Sequence, residues 1–277
     1  MLEQNFEKTT DIGKPDRSAS GFQFPMKYPN LSEEKLFELR NIITKRGSAS
    51  QTKTAYQDAV LFFIRSNAFR GDNVVEVGCY KGGLTVQYAY LCQQLGKKLH
   101  VIDYDKELLE ETKKLVYELG YGNVASFYNM DYESFVSSES FPQNTIATII
   151  DADHSYAGCL KDCNTLKKVL PSMYGVIFHD FTLRYTTWDG VGVDKAIYEV
   201  FGQHVRLYPI GFQSVCSETP TPEGAYLESN EGVIMVVPWQ PADVFAQKEP
   251  PSKLRQWLVR TPILGPLLAK CCNMTDK

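Results

Sequence analysis

The run Val74-Val75-Glu76-Val77-Gly78-Cys79-Tyr80-Lys81-Gly82-Gly83-Leu84-Thr85 decides how the rest of the chain is read. Val74, Val75 and Val77 are β-branched residues suited to a strand buried on both faces. Gly78 stands where that strand must turn, and Gly82-Gly83 carry no Cβ to obstruct a ligand pressed on the loop. Leu84, Tyr88, Leu91, Cys92 and Leu95 then recur at helical spacing until Gly96 stops the run. Strand, glycine loop and helix in this order make the first half of a nucleotide-binding βαβ unit. A strand with a glycine turn and no ligand needs the same backbone, so the loop alone leaves the chemistry open.

Spacing narrows the choice. A dinucleotide fingerprint reads G-x-G-x-x-G and seats a pyrophosphate on the helix N-terminus. This chain reads E-x-G-x-x-x-G-G, with Glu76 inside the strand end. A carboxylate there repels a pyrophosphate but can pair with an ammonium group. The stretch resembles motif I of class I S-adenosylmethionine-dependent methyltransferases, whose cofactor carries an amino-acid tail and no phosphate. The resemblance implies that Glu76, Gly78 and Gly82 hold that cofactor.

A second strand, Leu99 to Asp103, ends in acid some twenty residues past the loop. A carboxylate at that strand end can take both hydroxyls of a ribose, which serves NAD and S-adenosylmethionine equally. Asp105 is the better N-cap for the helix that follows, marked by Leu108, Leu109, Thr112, Leu115, Val116 and Leu119. His100, at the far end of the strand, is read as structural. A third strand, Ala125 to Asn129, leads into Asp131, and the methyltransferase resemblance implies that this acid accepts from the adenine amino group.

Two further clusters sit where hydrophobic strands give way to polar residues. Thr145 to Ile150 runs into Asp151-Ala152-Asp153-His154-Ser155-Tyr156, and Gly175 to Phe178 runs into His179-Asp180-Phe181. The short crossover between them predicts neighbouring strands, with Asp151 and Asp180 a few ångströms apart at the carboxyl edge. Two carboxylates so placed repel unless a positive charge intervenes or one is protonated. A divalent ion suits the gap, and His179 is a further ligand better matched to Zn²⁺, Fe²⁺ or Mn²⁺ than to Mg²⁺. His154 is then free to act as general base. The plain alternative is that these residues cap helices and satisfy loop backbone.

Together, D-x-D-H-S-Y and G-V-I-x-H-D resemble the group holding the macrocin- and mycinamicin-type sugar O-methyltransferases and the cephalosporin hydroxylase-like proteins. The likeness covers roughly residues 70 to 240. It implies Mg²⁺ held by an acid matching Asp151 and by an acidic pair matching His179 and Asp180. It also implies a histidine matching His154 that deprotonates a sugar hydroxyl. His179 departs from the pattern, because those relatives carry a carboxylate there.

The chain has 277 residues, 43% of them hydrophobic, a formal charge of -4 and a mean hydropathy of -0.27. An acidic balance disfavours nucleic acid as partner, and no apolar run approaches the ~18 residues of a bilayer span. Seven cysteines without a Cys-x-x-Cys pair or a secretory leader point to reduced thiols and a cytoplasmic location. His204 is read as a surface residue. Arg184, Trp188 and Asp189 form a loop at the cleft mouth, and the stretch from Phe212 to Glu231 is a long connection with a role in substrate choice.

The expected fold is α/β: a doubly wound, seven-stranded, mostly parallel Rossmann-like sheet of the class I methyltransferase type with N-terminal helices. Residues 1–29 form a flexible arm and 30–68 a helical segment that starts with Ser32 as N-cap and Leu31 stapled on Leu36. Residues 69–240 form the methyltransferase domain and 241–277 a tail expected to dock on the domain or in a dimer interface, the alternative being a membrane-surface anchor with Cys271 and Cys272 available for acylation. The expected chemistry is O-methylation of a small-molecule hydroxyl using S-adenosylmethionine and a divalent metal, Mg²⁺ or Mn²⁺. A homo-oligomer is an open expectation. The rivals are a non-catalytic binding protein on the same fold and an NAD-dependent oxidoreductase.

Overall fold

The computed structural model describes residues 33–188, 190–212, 216–217 and 219–237. The arm, the Leu31–Ser32 start of the first helix, Asp189 and the tail lie outside the described residues. Two helices lead, α1 (Glu33–Lys45) and α2 (Thr54–Ser66). They bury Leu36, Leu39 and Ile43 along one face of α1 and Tyr56, Val60 and Ile64 along one face of α2. An alternation then follows: β1 (Asn73–Val77), α3 (Gly83–Leu95), β2 (Lys98–Asp103), α4 (Lys106–Glu118), β3 (Ala125–Asn129), α5 (Tyr132–Val136), β4 (Thr145–Ile150), α6 (Tyr156–Val169) and β5 (Met173–Phe178). After β5 come β6 (Leu183–Arg184), α7 (Val193–Phe201), β7 (Leu207–Phe212), β8 (Ala225–Tyr226) and β9 (Asn230–Val236).

The large sheet has seven strands in the order β3-β2-β1-β4-β5-β9-β7. The strands from β3 to β5 are parallel to one another, and β9 runs antiparallel to both β5 and β7. This is the doubly wound sheet the sequence predicts, with β4 and β5 side by side. Every residue of β4 and β5 is buried, as continuous apolar runs between two helical layers require. One hydrophobic cluster lies under α1 to α4 and a second under α5 to α7. Asp105 caps α4 by accepting from the Glu107 and Leu108 amides, which agrees with its sequence reading.

Register positions the site. Val77 pairs with Ile102 on one side and Ile150 on the other, and Ile150 pairs with Phe178. The next residues along these four strands, Asp103, Gly78, Asp151 and His179, therefore stand in a row at one sheet edge. The winding reverses between β1 and β4, where α/β sheets open a ligand crevice. β6 and β8, which the sequence reading did not foresee, form a separate two-stranded ribbon beside this edge.

Candidate active site

A cavity of about 330 Å³ opens at that edge, and a second of about 160 Å³ adjoins it through Gly78, Asp103, Tyr104 and Ala152. Glu76, Asp103, Asp151, His154, His179 and Asp180 all line the larger one. Asp131 and Lys161 line the smaller one.

Glu76 is 3% exposed, with its Oε2 lacking any hydrogen-bond partner. Burial pushes its carboxyl well above the ordinary range; neighbouring Thr85 pulls it down, and the charges of Asp151 and Asp103 push it up. Gly78 has φ +87°, and a Cβ there would meet the Asp151 carbonyl oxygen at 2.1 Å. The bare Cα thus lets β1 and β4 close together below the cavity. Asp103 is fixed at the end of β2: Oδ2 accepts from the Cys79 amide at 2.9 Å and Oδ1 from the Asp105 amide at 2.9 Å.

Gly82 and Asp131 have local partners of their own. Gly82 does not border the cavity; it starts α3 at φ +81°, and a Cβ would meet the Thr112 side chain at 3.0 Å. Its bareness serves packing of α3 on α4, and that of Gly83 admits the Ser48 carbonyl and Ser50 amide. Asp131 is already engaged, accepting from the Ser134 amide at 2.8 Å and from Lys161 at 2.6 Å. Lys161 chiefly holds its carboxyl down at about 2.

At the β4 and β5 ends, imidazoles fill the gap between the carboxylates. His154 Nε2 lies 3.2 Å from Asp151 Oδ1 and its Nδ1 3.6 Å from Asp180 Oδ2. His179 Nδ1 lies 2.8 Å from Asp151 Oδ1 and 3.4 Å from Asp180 Oδ1. His154 and His179 thus share both acids. Burial would lower each imidazole, yet the Asp151 and Asp180 charges win and hold both above their ordinary value. Burial likewise pushes Asp151 up, but the two rings outweigh it and keep the group well below the usual carboxylate range.

Asp151, His154 and His179 each bring a ligand atom within 4.8 Å of the others. The expected metal set had Asp180 in place of His154. Asp180 sits at φ +52°, and its Oδ1 accepts from the Tyr226 hydroxyl of β8. The mixed nitrogen and oxygen donors fit a divalent ion, and the Nδ1 of His179, without an aligned hydrogen bond, faces the same point.

Glu231 is the functional neighbour that sequence reasoning missed. It is 1% exposed on β9, and its Oε1 lies 3.1 Å from His179 Nε2. Of the loop residues, Trp188 lines the cavity mouth at 47% exposure beside Tyr185, while Arg184 is paired with Asp194 and does not line the cavity. His204 is exposed. His100 lies between Asn73 and Tyr128, at 3.1 Å and 3.3 Å, away from the cavity.

Residues 75–181 match the profile of a family described as a methyltransferase domain. No curated protein matches the chain. Among solved structures the chain is similar to the O-methyltransferase from Bacillus cereus in complex with SAH, at 14% identity and a TM-score of 0.51, covering 76% of this chain and 93% of that one. It is also similar to cofactor-bound Rv0187 from MTB, at 11% identity and a TM-score of 0.50, covering 75% and 92%. These likenesses share the sheet and its flanking helices.

Proposed function

We propose that this chain, whose residues 75–181 match a methyltransferase-domain family model, is a class I methyltransferase that transfers the methyl group of S-adenosylmethionine to a hydroxyl of a small-molecule acceptor. The observation that carries the reading is the unpartnered Oε2 of Glu76, an acceptor buried at a cavity wall. A buried carboxylate is costly unless a cation meets it, and an amino-acid ammonium is such a cation. Asp103 would take the ribose hydroxyls, with Gly78 leaving room between them. Asp131, in the adjoining cavity, would accept from the adenine amino group through lone pairs that Ser134 and Lys161 leave over. Gly82 would contribute by fixing the start of α3. NAD is disfavoured because Glu76 stands where a pyrophosphate would lie.

Asp151, His179 and Asp180 would hold a divalent ion. Such an ion supplies Lewis acidity and a template for the acceptor oxygen. S-adenosylmethionine supplies a methyl already activated by its sulfonium, so the residues' main work is positioning. His154, the more exposed imidazole, would take the proton leaving the acceptor hydroxyl, its basicity raised by Asp151 and Asp180. A second reading makes His154 a metal ligand, favoured by its donor atom lying within the convergent group. No described helix is long and apolar enough to cross a membrane; a cytoplasmic enzyme acting on a small molecule is the accompanying proposal.

Calorimetric titration with S-adenosylhomocysteine, with and without Mg²⁺ or Mn²⁺ and alongside NAD, tests the core. Micromolar binding of the homocysteine product with NAD silent is expected; no binding under any metal condition sinks the proposal in favour of a non-catalytic protein. His154→Ala should abolish turnover yet keep product affinity. If the same variant also loses metal binding, the ligand role replaces the base role.

A further inference from the structure

The histidine at the end of β5 is built in from behind. Glu231 reaches across from β9 to place Oε1 3.1 Å from His179 Nε2, while both its oxygens accept from the Lys53 amide, at 2.9 and 3.1 Å. Tyr56 packs edge-on against the same ring, centroids 4.9 Å apart. With Nε2 facing the Glu231 carboxylate, Nδ1 is the ring nitrogen turned into the cavity. There it lies 2.8 Å from Asp151 Oδ1 without hydrogen-bond alignment. Either a proton on Nδ1 or a metal ion between the two atoms accounts for so close an approach.

We propose that Glu231 is a positioning residue that locks His179 as an Nδ1 nitrogen ligand beside Asp151. The centre would thereby favour borderline first-row ions such as Co²⁺ or Zn²⁺ over Mg²⁺ more strongly than an all-oxygen set does. The inference rests on the metal-assisted reading above and goes beyond it in naming the ion class and the residue that enforces it. A carboxylate–histidine–metal relay fixes the tautomer and raises ligand basicity, and loss of the outer carboxylate typically costs about 10–100-fold in metal affinity.

The test is calorimetry of the chelator-stripped full chain with Co²⁺ and with Mg²⁺, together with the visible spectrum of the Co²⁺ form. Most oxygen sites also bind Co²⁺ better than Mg²⁺, so the ratio between variants decides. His179→Asp should narrow the Co²⁺-to-Mg²⁺ affinity ratio by about tenfold or more and change the Co²⁺ spectrum as nitrogen is lost. Glu231→Leu should weaken Co²⁺ by about 10–100-fold, and Glu231→Gln, which keeps an acceptor and the Lys53 contact, should lose less. An unchanged ratio in His179→Asp, equal affinities in all three variants, or no metal binding in the native chain would each overturn the proposal, the last meaning that a proton holds His179 between its two acids. Parallel titration with S-adenosylhomocysteine separates the failures. Product binding without metal binding rejects this inference and the metal part of the proposed function while leaving the methyl-donor reading, whereas absent product binding rejects the methyltransferase reading itself.

Discussion

Burial acts on Glu76, Asp162 and His100 in ways that can be measured one residue at a time. Glu76→Gln keeps the shape and removes the charge. Loss of one charge-assisted bond of about 1.5–3 kcal/mol predicts a fall of roughly 10–100-fold in S-adenosylhomocysteine affinity. The ligand-free variant should be as stable as the parent or more so, because burial already opposes ionisation of this carboxyl. Asp162 lies at the smaller cavity, and burial pushes its carboxyl up from an ordinary 3.8 to about 7. The folded chain then holds more protons than the unfolded chain between these values, so this group's contribution to stability is lost as pH rises through the window. His100 has the opposite sign: burial lowers it from 6.5 to about 4, and its contribution is lost as pH falls through that interval. Melting temperature against pH should lose the first slope in Asp162→Asn and the second in His100→Gln; unchanged profiles would contradict both assignments. The acids at strand ends were legible in the sequence because a hydrophobic run followed by a carboxylate marks the crevice edge. Glu231 was not, since it lies 52 residues from His179 and only strand register brings it there.

Among the elements, the parallel strands announced themselves by β-branched and aliphatic runs, and the helices by periodicity and by caps such as Asp105. The ribbon of β6 and β8 escaped. Each strand has two residues, too short for any alternation to register, and their pairing spans the long connection after β7. That ribbon brings Tyr226 to Asp180, so part of the site was hidden with it. The glycine loop was read correctly as strand, turn and helix, yet for Gly82 the bareness serves a neighbouring helix. Gly78→Ala tests the joint between β1 and β4. A Cβ cannot fit 2.1 Å from a carbonyl oxygen at positive φ, and strain plus displacement should cost on the order of 3 kcal/mol in urea unfolding. A loss below about 1 kcal/mol would mean that the strand ends yield more easily than their packing indicates.

For the whole molecule, ligand binding and fold stability are one measurement. S-adenosylhomocysteine at 100 times its dissociation constant should stabilise the native chain by about 2.7 kcal/mol, raising the melting temperature by roughly 5–10 °C for a domain of this size. Absence of any shift at saturating ligand would contradict binding to the folded state. The strand order was foreseeable because short crossovers and right-handed winding leave few arrangements. The spacing of side chains across the crevice was not, because it depends on how far neighbouring strands approach. That approach has a consequence of its own at Gly78. The Asp151 amide donates to the Val77 carbonyl at 2.9 Å, and the bare Gly78 leaves no slack above it. If the proposed cofactor and metal sites are both filled, they meet across this seam, and occupancy of one would bear on the other. Thermodynamic reciprocity then governs their traffic: whatever factor the ion adds to the grip on the methyl donor, the donor must return to the ion.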